Sequence, residues 1–185
     1  MPYIRPAEEK DLHNIEYICR MTAGPDSRAY EETGRKISLT YSTYYARAER
    51  ETCFVLDDNG TAVGYILCAP DYKKFIREYR KNEVRQLWEI DKKHSVMAYF
   101  LPLGYLPFHR KYPAHLHIDI LDDYQGKGYG SELMSALLDK LKEKKLPGVM
   151  LIVDRNNDGA QRFYKRFGFK KIVSALGGVV MAKEL

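Results

Sequence analysis

Residues 114–154 constrain this chain more than any other stretch. "AHLHIDIL" reads as a strand, because apolar and polar residues alternate along it. "SELMSALLDKLKEKK" reads as a helix, with Leu133, Met134, Leu137, Leu138 and Leu141 on one stripe. Pro147-Gly148 ends that helix. "VMLIVD" follows as a continuous apolar run, the pattern of a strand buried on both faces. Between the first strand and the helix lies "YQGKGYG", with glycines at 126, 128 and 130. Glycines at alternate positions let N–H groups point inward and let a ligand approach the backbone. The helix start near Gly128 adds positive potential. Such a cradle suits a pyrophosphate. Two phosphate motifs are excluded on single positions. A P-loop needs glycine where Leu121 stands, and a dinucleotide fingerprint needs glycine where Ser131 stands. The loop also comes late in the chain, without the βαβ setting and ribose-binding acid that a dinucleotide site expects.

The rest of the chain sets the frame. Its 185 residues allow one domain with a real core, and we expect a single domain over 1–185. Apolar residues make up 45% and charged residues 30%, a globular composition. No apolar run approaches a membrane span and the N-terminus carries no signal-peptide pattern, so a cytoplasmic protein without a membrane partner is expected. Cys19, Cys53 and Cys68 have no metal spacing and sit among apolar residues, so they read as reduced core thiols and no metal is expected. A net charge of +5 favours an anionic ligand only mildly, and no nucleic-acid partner is expected.

Ahead of the glycine loop, residues 3–7 read as a strand and 8–21 as a helix, broken by Gly24-Pro25. A second helical stretch covers about 34–49. Residues 53–56 and 62–69 form a hairpin around Asp57-Asp58-Asn59-Gly60. Residues 71–93 read as a basic helix. Residues 96–113 are aromatic and punctuated by Pro102, Gly104, Pro107 and Pro113, and so predict an irregular connector rather than a long regular element. After residue 154 come a short helix closed by Gly168 and a hairpin around Gly177-Gly178.

Two motifs in this order resemble the GNAT superfamily of N-acetyltransferases. Gln125-Gly126-Lys127-Gly128-Tyr129-Gly130 is similar to that family's cofactor loop. Val153, Asn157, Ala160, Phe163, Tyr164, Gly168 and Phe169 are similar to its second signature. The resemblance implies an α/β (α+β) GNAT fold: a mixed, mostly antiparallel sheet of six to seven strands, helices on both faces, and a splay between the central strands. It implies acetyl-CoA as cofactor. The pyrophosphate would lie on residues 125–130 and the pantetheine arm along Ile118, Asp119 and Ile120. Asn157 would bond the pantetheine region, and Tyr164 would face the sulfur and protonate the departing thiolate. More narrowly, the hairpin and the 71–113 insertion resemble the acetyltransferase-like C-terminal domain of O-GlcNAcases and its free-standing bacterial relatives.

Acetyl transfer to an amine needs a neutral amine, a polarised thioester carbonyl, proximity and a proton for the thiolate. A free backbone N–H on the splayed strand, with that of Ile120 as the candidate, can polarise the carbonyl. His115, His117 and Asp119 share one face of their strand, opposite Ile118 and Ile120. Asp119 can hold His117 as a base, or the pair can be a structural one. In the family, bases on this strand often project from the opposite face. His109 is a further candidate, and water can shuttle the proton instead. Asp122 is expected to point away from the phosphates. The acceptor is expected to be a small-molecule or peptide amine, with the basic residues of 73–93 favouring an anionic one. The protein is expected to be a monomer or homodimer. The alternative is a catalytically silent acyl-CoA-binding or peptide-binding module.

Overall fold

The structure is a computed structural model that describes residues 1–175 and 178–185, with Ala175 described in its backbone alone. Seven strands form one sheet in the order β1-β2-β3-β4-β5-β7-β6. They are β1 (Tyr3–Pro6), β2 (Phe54–Asp58), β3 (Thr61–Ala69), β4 (Ala114–Ile120), β5 (Gly148–Asp154), β6 (Lys170–Ala175) and β7 (Gly178–Glu184). The helices are α1 (Leu12–Thr22), α2 (Pro25–Ala29), α3 (Glu31–Tyr41), α4 (Thr43–Ala48), α5 (Tyr72–Ile90), α6 (Lys92–Phe100), α7 (Tyr129–Glu143) and α8 (Asp158–Arg166).

All strand pairs are antiparallel except β4 with β5. Helix α7 makes the crossover between those two. A βαβ unit therefore does surround the glycine loop, which corrects the sequence reading. A single parallel pair leaves no repeating strand–helix pattern to read, so local periodicity does not reveal it.

The sheet separates two apolar layers. Leu56, Ile66, Leu116 and Ile120 pack with Leu133, Met134, Leu137 and Leu141 of α7 and Tyr164 of α8. On the other face, Val55, Tyr65, Leu67 and Ala69 pack with Ile15 and Ile18 of α1, Tyr44 and Tyr45 of α4, and Phe75, Tyr79 and Leu87 of α5. The period-2 alternation of β3 and β4 thus serves two cores at once. The start of the chain is pinned by Arg5. Its guanidinium reaches Asp11 at 2.6 Å and Asp57 at 2.7 Å, and both carboxylates are 1% exposed.

Several boundaries differ from expectation. The helical stretch at 34–49 is two helices, α3 and α4, broken at Ser42. Residues 96–100, expected to be irregular, continue α6. The chain then tightens to a 3-10 turn over Leu101–Tyr105, because Pro102 is tolerated in a first turn and no later. Asn59 and Gly60 adopt φ of 52° and 87°, as the β2–β3 hairpin turn requires. The final hairpin is present as β6 and β7, but its turn at Leu176 and Gly177 lies outside the described residues. Among the described residues, no helix is long and apolar enough to cross a membrane.

Candidate active site

Strands β4 and β5 pair through only two residues each, Ala114 with Val149 and His115 with Met150. Beyond His115 they part. The Leu121 N–H donates to the Val63 carbonyl at 3.0 Å, so by alternation odd-numbered backbone groups of β4 bond to β3. The N–H groups of Ile118 and Ile120 therefore face the opening. This is the splay expected from the resemblance, and beyond it Ile152 and Asp154 of β5 are exposed, Ile152 by 37%.

At the outer end of the opening lies the glycine loop. Gly126 and Gly128 adopt φ of 72° and 93°, and a Cβ at either would project into empty space. Across residues 126–130, the backbone N–H groups donate to no partner within the described chain. Gly126, Gly128 and Gly130 line a cavity of about 480 Å³ together with Ile120, Tyr124, Ser131, Phe163 and Arg166. Free donors, a helix N-terminus and a guanidinium are what a pyrophosphate requires, so the loop fits coenzyme A. Gln125 lines this cavity too, but its amide is already committed. It donates to the Ile120 carbonyl at 2.7 Å and to Asp122 at 3.2 Å, which braces the loop against the strand. The side chains of Lys127 and Tyr129 are not among the lining, and the Lys127 ammonium lies 5.7 Å over the Tyr124 ring. Asp122 does turn outward, 3.3 Å from Arg28. Arg166 went unnoticed in the sequence. The signal was its position three residues after Phe163, on the same helix face.

Asn157 caps α8, its side-chain oxygen accepting from the Ala160 N–H at 2.9 Å. This places Tyr164 two turns into the helix, in the same apolar layer as Ile120 and 8% exposed. Burial, with smaller contributions from the Asp119 carboxylate and Tyr105, pushes the Tyr164 phenol well above its usual value. The phenol therefore keeps its proton at any physiological pH.

The other side of the opening is aromatic. A cavity of about 380 Å³ is lined by Tyr41, Tyr45, Phe75, Tyr79, Tyr105 and His117, among others. The His117 ring is stacked between Tyr41 and Tyr65, at 5.8 Å from each. Its Nδ1 lies 3.3 Å from Asp119 Oδ2 and 3.2 Å from the Tyr65 hydroxyl, and Tyr65 donates to Asp119 at 2.6 Å. Asp119 thus lies beside His117, and the Tyr65 hydroxyl, which the sequence reading missed, is within hydrogen-bond distance of both.

Not every expected site residue joins them. His115, the third polar group on that face, has no hydrogen-bond partner at either ring nitrogen among the described residues. It is 0% exposed, between Phe75 at 4.4 Å and Tyr105 at 4.7 Å. Burial pushes it down to about 3, so it stays neutral and is no base. The His109 Nδ1–H donates to the Leu106 carbonyl at 2.6 Å, and His109 does not line the cavity. Among the described residues, no lysine or arginine lines the cavity either. Lys74 is held by Glu49 at 2.8 Å, Arg77 by Glu78 at 3.0 Å, and Arg80 by the Tyr99 carbonyl at 3.0 Å. The basic face of α5 is therefore turned away from this site. Cys19, Cys53 and Cys68 are free and buried, and burial pushes Cys19 and Cys53 up to about 12, so none is a nucleophile.

Known proteins share this fold. The structure called SsHAT matches with a TM-score of 0.87 and 33% identity, over 99% of this chain and 98% of that one. A PaiA N-acetyltransferase of Thermoplasma acidophilum, solved in complex with coenzyme A, matches in fold with a TM-score of 0.66 and 16% identity, over 100% and 99% of the two chains. An uncharacterised N-acetyltransferase of Methanocaldococcus jannaschii is 25% identical over 183 residues, and this chain spans 66% of its length. The model of the acetyltransferase (GNAT) family matches residues 11–169. With that match laid over the splayed strands and the glycine cradle, the chain is shown to belong to the GNAT family of acetyltransferases.

Proposed function

We propose that this protein is an acetyl-CoA-dependent N-acetyltransferase that passes the acetyl group directly to an amine in a ternary complex. The observation that carries this reading is the opening between β4 and β5. It exposes the Ile118 and Ile120 N–H groups between a phosphate cradle on one side and an aromatic cavity holding His117 on the other.

Bound acetyl-CoA supplies the acetyl group as a thioester and departs as a thiol. The N–H groups of residues 126–130 and Arg166 hold its phosphates. The Ile118 and Ile120 N–H groups bind its arm, and the Ile120 N–H stands ready to stabilise developing negative charge on a carbonyl oxygen. His117 removes a proton from the incoming amine, oriented by Asp119 and Tyr65. Tyr164 donates a proton to the leaving sulfur. It lies on the α7–α8 side of β4, whereas His117 lies on the other, so acid and base address the opening from opposite faces. Two proton transfers then proceed without sharing one site. Asn157 has its oxygen committed to the cap and keeps its amide N–H groups for the arm.

Thiol release from acetyl-CoA, followed over a panel of amines, tests the reading. We expect release that depends on an added amine and saturates with it. Calorimetric binding of acetyl-CoA without turnover on any amine would instead favour a silent acyl-CoA-binding module.

A further inference from the structure

The N–H groups of residues 126–130 donate to no partner within the described chain, and Gly126 and Gly128 stand at φ of 72° and 93°. A loop kept open in this way for an anion needs support from its flanks. Gln125 braces one side through the Ile120 carbonyl, at 2.7 Å. Tyr124 braces the other. It closes the 3-10 turn Asp122–Tyr124 and lines the phosphate cavity. Its hydroxyl donates to Asp58 Oδ2 at 2.6 Å, across 66 residues of sequence. The other oxygen of that carboxylate accepts from the Asn59 side chain at 2.9 Å.

The anchor itself is rigid. Asp58 ends β2, where the chain turns through Asn59 and Gly60 into β3. Its neighbour Asp57 is 1% exposed, accepts from the Gly60 N–H at 2.6 Å and holds Arg5 at 2.7 Å. The hairpin is thereby tied to β1, and Asp58 extends the tie to the cofactor loop. A carboxylate near a phosphate site works against it by like-charge repulsion. What offsets the repulsion here is a short, charge-assisted bond to the tyrosine that walls the cradle. The Lys127 ammonium, 5.7 Å over the same ring, adds an opposite charge on that wall. We propose that Asp58 is a positioning residue for the cofactor. Through Tyr124 it fixes the wall of the cradle, so that the N–H groups of residues 126–130 converge before the phosphates arrive. Donors already in place bind an anion without the cost of ordering the loop. The inference rests on coenzyme A lying on residues 125–130. It adds a residue that does not itself line the cavity and that reads, in the sequence, as turn chemistry alone.

Calorimetric titration of coenzyme A into the parent, Asp58→Ala, Tyr124→Phe and the double variant tests the assignment, with circular dichroism to follow the fold. Each single change removes the same charge-assisted bond. Each is therefore expected to weaken binding about tenfold, and the double variant no further than either alone. Asp58→Asn keeps an acceptor oxygen for the tyrosine and is expected to stay within about threefold of the parent. A general loss of structure would not be rescued in this way. Equal affinity in the parent, Asp58→Ala and Tyr124→Phe would overturn the tether and leave coenzyme A binding standing. Losses that add up in the double variant would also overturn it, because the two residues would then act independently. So would an Asp58→Asn variant as weak as Asp58→Ala. No binding by the parent would remove the cofactor from this loop, and the inference with it.

Discussion

The Tyr65 hydroxyl donates to Asp119 across the β3–β4 pair at 2.6 Å, and that carboxylate in turn faces His117 Nδ1 at 3.3 Å. Tyr65 and Asp119 are register partners, so the sheet itself fixes the geometry. Tyr65→Phe removes one hydrogen bond to a carboxylate and keeps the ring stacked on His117. Turnover is expected to fall about tenfold with acetyl-CoA affinity unchanged, the size of one charge-assisted hydrogen bond. Steady-state kinetics beside calorimetry checks this, and a parallel loss of cofactor affinity would count against a positioning role.

Tyr164→Phe removes the proposed acid. Because the phenol is held protonated, its loss acts on the departing thiolate and not on binding. We expect turnover down by about a hundredfold or more with little change in acetyl-CoA affinity. Equal turnover in variant and parent would remove Tyr164 from that role.

His115 makes a prediction about stability. Its folded value of about 3 lies below the ordinary 6.5, so the unfolded chain binds a proton that the folded chain refuses. Stability is unaffected above pH 6.5 and is lost as pH falls from 6.5 toward 3, at up to about 1.4 kcal/mol per pH unit. His115→Leu removes that slope. It also replaces two unpartnered nitrogens with an apolar group, and stability at pH 7 is expected to rise by about 1 kcal/mol. Denaturant melts at several pH values measure both.

Arg5 neutralises two buried carboxylates at once. Arg5→Met leaves Asp11 and Asp57 facing each other in the interior, and we expect a loss of about 3–5 kcal/mol. A denaturant midpoint near that of the parent would show that water, not Arg5, satisfies them.

Much of this was legible in the sequence, for identifiable reasons. The glycine loop stood out because alternate glycines between a strong strand and a strong helix have few other uses. Tyr164 was singled out by its place in the second motif, and the structure puts it on α8 in the layer that holds Ile120. Tyr65, Tyr79 and Tyr105 were not legible, because each reads as ordinary core material and only long-range packing brings it to the opening. His115 shows the converse. Alternation placed it correctly on the face of His117, yet gave no sign that it would be enclosed by Phe75 and Tyr105 with neither nitrogen bonded. Helix α6 was missed over residues 96–100 because nearby prolines were read as breakers, although all of them follow its last residue.

Calorimetric titration of acetyl-CoA into the parent and into Gly128→Glu tests the central claim most directly. Gly128 stands at φ 93° with open space beyond its Cα, so glutamate there strains the turn, fills the cradle and adds a charge that repels phosphate. The account predicts saturable one-to-one binding by the parent and none by the variant, with both folded by circular dichroism. Equal affinity in parent and variant, or no binding by the parent, would contradict it.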